Sequence, residues 1–345
     1  MVITPTYGSD LTVPLLNTLP SYCLITQPLP WNLWSRYLSI EPKVVIYNTS
    51  MEETHLTQLL QQYQQVEAQC ESVIGFGGGL VCDTAKYFAW KWQKPLILIP
   101  SIISVDAFLC PAIAVRNQNR VRYIGQKLPD KLVIDYEVIR SAPPSLNYSG
   151  IGDVISCCTA LGDWVIGRDL FQDPFEPNIF NQTKQLIRDI MRLAPKIHDL
   201  SDEGIRLLVE FLREEVRLCD IFGSARPEEG SEHFLAYTLE SLFPRSYLHG
   251  ALVSLNVLTT LKLQGEYAQY SIDLVKDCLD IVGVTYDLNN LAIPLENYKK
   301  ALQNVTTYTK NEKLFHGLWY LENPFRSHSI DDLLDWLQSI KSHTR

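Results

Sequence analysis

The chain has 345 residues and a mass of 39.4 kDa, which exceeds the usual size of one domain and predicts two. Hydrophobic residues make up 46% and charged residues 20%, a composition typical of a folded globular protein. The 30 Lys and Arg residues against 39 Asp and Glu residues give a net charge of -9. This balance argues against nucleic acid as the main partner, because binding phosphates along a backbone requires a basic surface.

Targeting signals are not evident in the sequence. The first basic residue is Arg36, so the positively charged start of a secretory signal is missing. The longest apolar stretch, residues 96–115, contains Pro100, Asp106 and Pro111, which a membrane helix would not readily accommodate. The eight cysteines show no CxxC spacing. We therefore expect reduced thiols, a cytoplasmic location and no membrane partner.

The first 145 residues alternate between strand-like and helix-like patterns. Short apolar runs predict strands at 44–47, 72–76, 96–99 and 132–134, and helical patterns cover 51–69 and 80–92. A polar cluster between two β-prone runs predicts a hairpin within residues 113–124. Because apolar strands separated by helices suit a parallel sheet covered on both faces, we predict a Rossmann-like α/β domain over residues 1–145.

The remainder of the chain, residues 146–345, has the pattern of an all-helical domain. One apolar stripe runs from Ile205 to Cys219, with charged residues elsewhere on the same helix. The segment after Gly152 is apolar almost all round, as expected for a helix in the interior of a domain. Pro143 and Pro144 mark the predicted junction between the two domains.

A glycine-rich segment from Gly75 to Gly79 lies between a predicted strand and a predicted helix. Glycines allow the backbone to approach a ligand closely, and the start of a helix binds phosphate groups through its N–H groups and dipole. The spacing is not GxGxxG, because position 80 is leucine, and a tight turn without a ligand explains the glycines equally well. Asp83 and Lys86 follow, and by themselves they indicate a first-turn carboxylate and a solvated lysine.

A polar loop, residues 100–107, leaves the end of a predicted buried strand, where open α/β sheets bind ligands. Ser101, Ser104 and Asp106 in this loop could contact a nicotinamide ring or a substrate hydroxyl. The alternative is a capped connection in which Ser104 or Asp106 is the N-cap of a helix.

Three residues in the second half are candidate metal ligands: Asp153 at the start of the apolar helix, His233 and His249. A carboxylate in an apolar setting needs a partner, which a helix N-terminus partly supplies, so a first-turn aspartate is the alternative for Asp153. A histidine beside apolar neighbours is more often a core residue than a ligand, and the sequence has no HExxH or CxxC spacing. The residues alone thus indicate an α/β half of the kind that binds nucleotides and a helical half. They leave open whether a cation is bound.

Five segments in the same order resemble motifs of the iron-containing alcohol dehydrogenase and dehydroquinate synthase-like superfamily. The resemblance is greatest to its glycerol-1-phosphate dehydrogenases, with glycerol dehydrogenases next. The motifs run from about residue 43 to 260 and include Gly77–Lys86, Pro100–Asp106, Ser149–Trp164, Ser224–His233 and Leu248–Gly250.

The resemblance implies two sites. One binds NAD or NADP and comprises Gly77, Gly78, Gly79, Asp83, Ser101, Ser104 and Asn48. Asn48 follows the first predicted strand, so this position provides no acidic residue that would select NAD over NADP. The other holds one divalent metal through Asp153, His233 and His249, and these three residues with Asp106 form the implied catalytic set. Zinc suits three N and O ligands with an open position, and iron, nickel or manganese would also accept them.

The implied activity is a metal-dependent NAD(P) oxidoreductase that interconverts a polyol or glycerol phosphate and its ketone, in a chain that could form a homo-oligomer. The cation would stabilise the alkoxide that gives its hydride to the nicotinamide. The sequence departs from the motifs at Val105, at residues 251–256 and at two carboxylates, Glu228 and Glu229. These departures leave open whether the substrate is phosphorylated. The alternatives are a dehydroquinate synthase-like sugar phosphate lyase or cyclase, and a non-catalytic nucleotide-binding relative.

Overall fold

The computed structural model describes residues 2–245, 247–326 and 328–342. The chain divides into two compact units, Met1–Asn147 and Tyr148–Arg345, two residues beyond the predicted boundary.

The first unit is built on a six-stranded parallel sheet with the order β1-β8-β5-β4-β2-β3. Its strands are β1 (Thr6–Gly8), β2 (Tyr22–Thr26), β3 (Val44–Tyr47), β4 (Ser72–Gly77), β5 (Leu96–Pro100) and β8 (Lys131–Asp135). Its helices are α1 (Thr12–Leu16), α2 (Pro28–Trp34), α3 (Glu53–Gln62), α4 (Gly79–Trp92) and α5 (Tyr136–Arg140). Short 3₁₀ helices cover Ser35–Tyr37, Gln64–Gln69 and Asp106–Phe108. The predicted parallel α/β architecture is confirmed.

The core of this unit lies on the central strands. Every residue of β2, β4 and β5 is buried, which explains why these strands are apolar runs without alternation. Helix α4 packs closely on β4, since a Cβ on Gly75 would lie 2.7 Å from the Cβ of Ala85. The sequence analysis did not account for the first 40 residues, which contribute β1 and β2 to the sheet.

The predicted hairpin is present as β6 (Ala112–Asn117) and β7 (Arg120–Gln126), which pair antiparallel. Its two-residue turn, Gln118 and Asn119, has φ values of 53° and 61°. Two successive positive φ values are typical of the hairpin turns that match the twist of the strands.

The second unit is helical in its described residues, as predicted. Its helices are α6 (Pro144–Ile155, which begins in the first unit), α7 (Cys157–Phe171), α8 (Pro177–His198), α9 (Asp202–Phe222), α10 (Ser231–Leu242), α11 (His249–Gln264), α12 (Ile272–Val282), α13 (Leu295–Asn311) and α14 (Ile330–Ser339). Further 3₁₀ helices cover Gly265–Tyr267 and Leu318–Tyr320. In the described part of the chain, no helix has both the length and the apolarity needed to cross a bilayer.

One helix begins earlier in the chain than predicted. Helix α6 begins at Pro144, a residue that suits the first turn of a helix, so the predicted junction at Pro143 and Pro144 coincides with the start of a helix. Asp153 therefore lies in the last turn of α6 and not in the first turn of a helix. The alternative of a first-turn aspartate is wrong, and the dipole of α6 does not stabilise the charge of this carboxylate.

Candidate metal centre and nucleotide-binding turn

The three predicted metal ligands lie together, although they come from three helices. Asp153 is in the last turn of α6, His233 is the third residue of α10, and His249 is the first residue of α11. Their donor atoms all lie within 4.8 Å of one another. Asp153 Oδ1 lies 3.7 Å from His233 Nε2 and 3.5 Å from His249 Nε2.

These distances fit one divalent cation. Donor atoms of a tetrahedral site with bonds of about 2.1 Å lie about 3.4 Å apart, close to the two distances that involve Asp153. The side chains of Asp153 and His233 are each 3% exposed, whereas that of His249 is 26% exposed. Two ligands are thus shielded and the third borders accessible space, as a site with an open coordination position requires.

Glu232 orients the ring of His233 and was missed by the sequence analysis. Its Oε1 accepts hydrogen bonds from His233 Nδ1, at 2.9 Å, and from the Gly230 N–H, at 2.7 Å. With Nδ1 donating to this carboxylate, Nε2 is the nitrogen available to a metal. The adjacent glutamate in the sequence Glu232-His233 was the available signal.

The first turn of α10 is hydrogen-bonded to the buried carboxylate of Asp163, whose role was not predicted from the sequence. Asp163 Oδ2 accepts a hydrogen bond of 2.6 Å from the Ser231 N–H, and its Oδ1 accepts from Gln264 Nε2 at 3.0 Å and from the Leu318 N–H at 2.9 Å. Trp319 Nε1 donates to the Ser231 carbonyl at 2.8 Å. These bonds fix the start of α10 and hence the position of His233.

Carboxylates dominate the electrostatics around His233. Burial opposes protonation of its ring, but hydrogen bonds to Asp153 and Glu232 and the nearby charges outweigh burial and raise the pKa of His233 well above its usual value. Burial also raises the pKa of Glu229, whose Oε1 accepts a 2.5 Å hydrogen bond from the Tyr237 hydroxyl. The surplus of negative charge favours a cation at this place.

The predicted nucleotide-binding glycines form the turn between β4 and α4. Gly78 is the N-cap of α4 and Gly79 its first residue. A Cβ added to Gly77 would lie 2.6 Å from Val81 Cγ2, and a Cβ added to Gly79 would lie 2.8 Å from Val105 Cγ2. Because these positions are glycines, the loop after β5 can pack against the start of α4. A larger residue at either position would collide with its neighbours.

Asp83 and Lys86 form a buried ion pair. Lys86 Nζ lies 2.7 Å from Asp83 Oδ1, and the lysine is 1% exposed, so the expectation of a solvated lysine is wrong. Lys86 also donates to the carbonyls of Cys110 and Ala112, at 3.0 and 2.5 Å. Burial raises the pKa of Asp83 even though Lys86 opposes this shift. The pair thus joins α4 to the segment that follows the loop of Ser101, Ser104 and Asp106.

That loop does not have the capped form considered as an alternative. The 3₁₀ helix Asp106–Phe108 has Val105 as its N-cap and no side-chain cap. Ser104 is buried, and the Ser101 N–H donates to the Gly77 carbonyl at 3.0 Å. The loop and the glycine turn are thus adjacent.

Asn48, at the end of β3, is 1% exposed. Its Nδ2 donates to Thr84 Oγ1 at 2.7 Å and to the Ser50 carbonyl at 2.9 Å, and its Oδ1 lies 3.0 Å from His55 Nε2. Its amide is engaged in internal hydrogen bonds, so a role in holding a cofactor remains a prediction.

Known proteins of similar sequence indicate the family of this chain. The sequence profile described as iron-containing alcohol dehydrogenase matches residues 35–143. A glycerol-1-phosphate dehydrogenase [NAD(P)+] from Hyperthermus butylicus is 31% identical over 254 residues, which cover 71% of both chains. The protein of the same name from Sulfurisphaera tokodaii is 29% identical over 68% of this chain and 66% of its own length, slightly under two thirds. The chain belongs to the iron-containing alcohol dehydrogenase family.

The fold is shared with solved structures. A probable glycerol dehydrogenase from Sinorhizobium meliloti 1021 superposes with a TM-score of 0.69 at 15% identity, covering 97% of this chain and 98% of that one. At this identity the likeness establishes the fold alone.

Proposed function

We propose that this protein is a metal-dependent NAD(P) oxidoreductase that interconverts a polyol or glycerol phosphate and the corresponding ketone. The observation that carries the proposal is the cluster of Asp153, His233 and His249, with donor atoms within 4.8 Å. Family membership and relatives named glycerol-1-phosphate dehydrogenase support the cofactor and the substrate class.

In this proposal, residues of the second unit hold the metal. Asp153 Oδ1, His233 Nε2 and His249 Nε2 are the ligands, and Glu232 keeps His233 Nδ1 protonated and its ring oriented. A bound divalent cation supplies Lewis-acid polarisation of a hydroxyl or carbonyl oxygen, and a bound nicotinamide accepts or gives the hydride. Zinc suits this donor set best, and iron, nickel and manganese are the other candidates.

Residues of the first unit bind the dinucleotide. The N–H groups at the start of α4, at Gly78 and Gly79, would bind a pyrophosphate, because the N-terminus of a helix provides unpaired donors and the positive end of the helix dipole. Ser101, Ser104 and Asp106 would hold the nicotinamide and the substrate, and Asp106 would belong to the catalytic set. Lys86, which pairs with Asp83, ties the segment that follows this loop to α4 through its bond to the Cys110 carbonyl.

The setting proposed for this enzyme is the cytoplasm, which the eight free thiols support because a reducing compartment preserves them. A small molecule is the proposed partner, and assembly into a homo-oligomer remains a prediction.

Metal analysis of the purified protein, followed by an absorbance screen with NAD(H) and NADP(H), tests the function. The substrates are dihydroxyacetone phosphate, dihydroxyacetone and glycerol. We expect one bound metal per chain and a steady change in the absorbance of the nicotinamide. Both the metal and the absorbance change should be lost in His249→Ala and kept in the control His328→Ala. Turnover without net cofactor change would indicate the lyase or cyclase instead. Tight NAD(P) binding without turnover, in metal-replete protein, would indicate a non-catalytic relative.

A further inference from the structure

The outer side of the His233 ring faces a carboxylate that is itself held in place. Glu232 Oε1 receives the Nδ1–H of His233, and Glu232 Oε2 lies 2.5 Å from the hydroxyl oxygen of Thr159. Thr159 and Glu232 are 0% exposed and His233 is 2% exposed, so water does not readily replace any partner in this series of hydrogen bonds.

The proton of the Thr159 hydroxyl has two acceptors within reach. One is Glu232 Oε2 at 2.5 Å, and the other is the Ser156 carbonyl, one turn earlier in the chain, at 2.8 Å. A charged acceptor at the shorter distance forms the stronger hydrogen bond. The hydroxyl therefore donates to Glu232, which leaves the Ser156 carbonyl as a secondary contact.

Thr159 is well placed to fix the plane of the Glu232 carboxylate. Its own carbonyl accepts a 2.8 Å hydrogen bond from Gln264 Nε2, the same nitrogen that donates to Asp163 Oδ1 at 3.0 Å. Helices α7 and α11 are thereby joined at the position where Thr159 meets Glu232. The Glu232 carbonyl is held as well, by Asn256 Nδ2 at 3.0 Å.

We infer that Thr159 is a positioning residue of the metal centre, which acts through Glu232 on His233. With Oε2 fixed by Thr159, Oε1 is directed to Nδ1, and Nε2 points towards Asp153 and His249. This inference rests on the proposed function in one respect, namely that His233 binds a metal. Groups that orient a ligand histidine from outside typically change metal affinity by about 10- to 100-fold when they are removed.

The test is a titration of the metal-free full-length protein with Co²⁺, followed by visible absorption. Thr159→Val removes the hydroxyl at nearly constant volume, and Thr159→Ser keeps it. We expect Thr159→Val to bind Co²⁺ about tenfold more weakly, with a shifted cobalt spectrum, and Thr159→Ser to restore both. Thr183→Val is the matched control, because Thr183 is also fully buried in a helix and donates only to the carbonyl of Ile179.

The outcomes separate the inference from the proposed function. If Thr159→Val lowers the thermal midpoint but binds Co²⁺ with the affinity and spectrum of the unchanged protein, Thr159 is merely structural and the inference is overturned. If the unchanged protein does not bind Co²⁺, the metal centre itself is overturned and the inference with it. Should Thr159→Val not fold, Thr159→Ala must show the same weakened binding; unaltered binding there also overturns the inference.

Discussion

Gly152 lies directly against the backbone of Gly250, so that a Cβ on Gly152 would be 1.8 Å from the Gly250 carbonyl oxygen and 2.3 Å from Ser254 Oγ. Gly152 immediately precedes Asp153 and Gly250 immediately follows His249, which are two of the proposed metal ligands. The close approach of α6 and α11 at this point is what brings Asp153 Oδ1 to 3.5 Å from His249 Nε2.

Gly152→Ala should therefore disrupt the metal centre. The added methyl group meets backbone atoms that cannot move alone, so the two helices must separate, at a cost of more than about 3 kcal/mol of the free energy of unfolding. We expect weak or absent metal in elemental analysis. Gly8→Ala is the control, since its Cβ would meet only flexible side-chain carbons of Leu11, at 3.2 to 3.3 Å. Full metal content in Gly152→Ala would show that the contact does not position the ligands.

His233→Ala and His249→Ala should each lose metal and activity while retaining most of their affinity for NAD(P). The reason is that both histidines belong to the second unit, whereas the proposed nucleotide-binding residues belong to the first. Loss of a direct ligand should weaken metal binding by more than about 100-fold, beyond the range of outer residues. Metal analysis and nucleotide titration of the same samples measure both properties. Full metal occupancy in both variants would contradict the assigned ligands.

Lys86→Met should destabilise the first unit more than the double change Asp83→Asn with Lys86→Met. The single variant leaves the Asp83 carboxylate buried without its cation, which costs about 3 kcal/mol, whereas the double variant removes both charges. Chemical denaturation of the unchanged protein, Asp83→Asn, Lys86→Met and the double variant gives the coupling energy. Equal destabilisation by both would indicate that the hydrogen bonds of Lys86 to Cys110 and Ala112 matter more than the ion pair.

Asp287 should make stability depend on pH in the acid range. Burial raises its pKa, but hydrogen bonds from Ser342 and Asn290 outweigh burial, so the pKa lies below its ordinary value. A carboxyl whose pKa is lower in the folded state stabilises the fold above its unfolded pKa of about 3.9, and this contribution is lost as the pH falls through the folded pKa.

Comparison of Asp287→Asn with the unchanged protein measures this contribution. The difference in unfolding free energy should be constant between about pH 5 and 7 and should shrink below about pH 4. Asp335→Asn, at an exposed position, is the control and should show little difference at any pH. A difference that grows on acidification would contradict the assignment.

The sequence predicted the parallel sheet and the helical half because their signals are local. Buried strands such as β4 and β5 are apolar without interruption, and the helix that contains Ile205 and Cys219 has a regular stripe. Strand β2 was missed although it is fully buried, because its short run lies among prolines and tryptophans that favour irregular structure.

The candidate metal ligands could be named from motifs, but their surroundings could not be predicted. The roles of Thr159 and Asp163 depend on which face of α7 meets α10, and periodicity does not determine that choice for a helix that is apolar almost all round. Lys86 was misjudged for a related reason: a lysine three residues after an aspartate resembles a surface residue until the carbonyls that it contacts are known.

The three proposed ligands come from three separate helices of one unit, and this has a calorimetric consequence. A cation bound there would cross-link α6, α10 and α11, of which α6 is separated from α10 by two further long helices, α8 and α9, and by α7. Because it would bind the native state alone, it should add about 2.7 kcal/mol of stability at a concentration of 100 times its dissociation constant. Chelation should then lower the temperature at which the helical unit melts, by an amount that calorimetry of the metal-loaded and chelated protein measures.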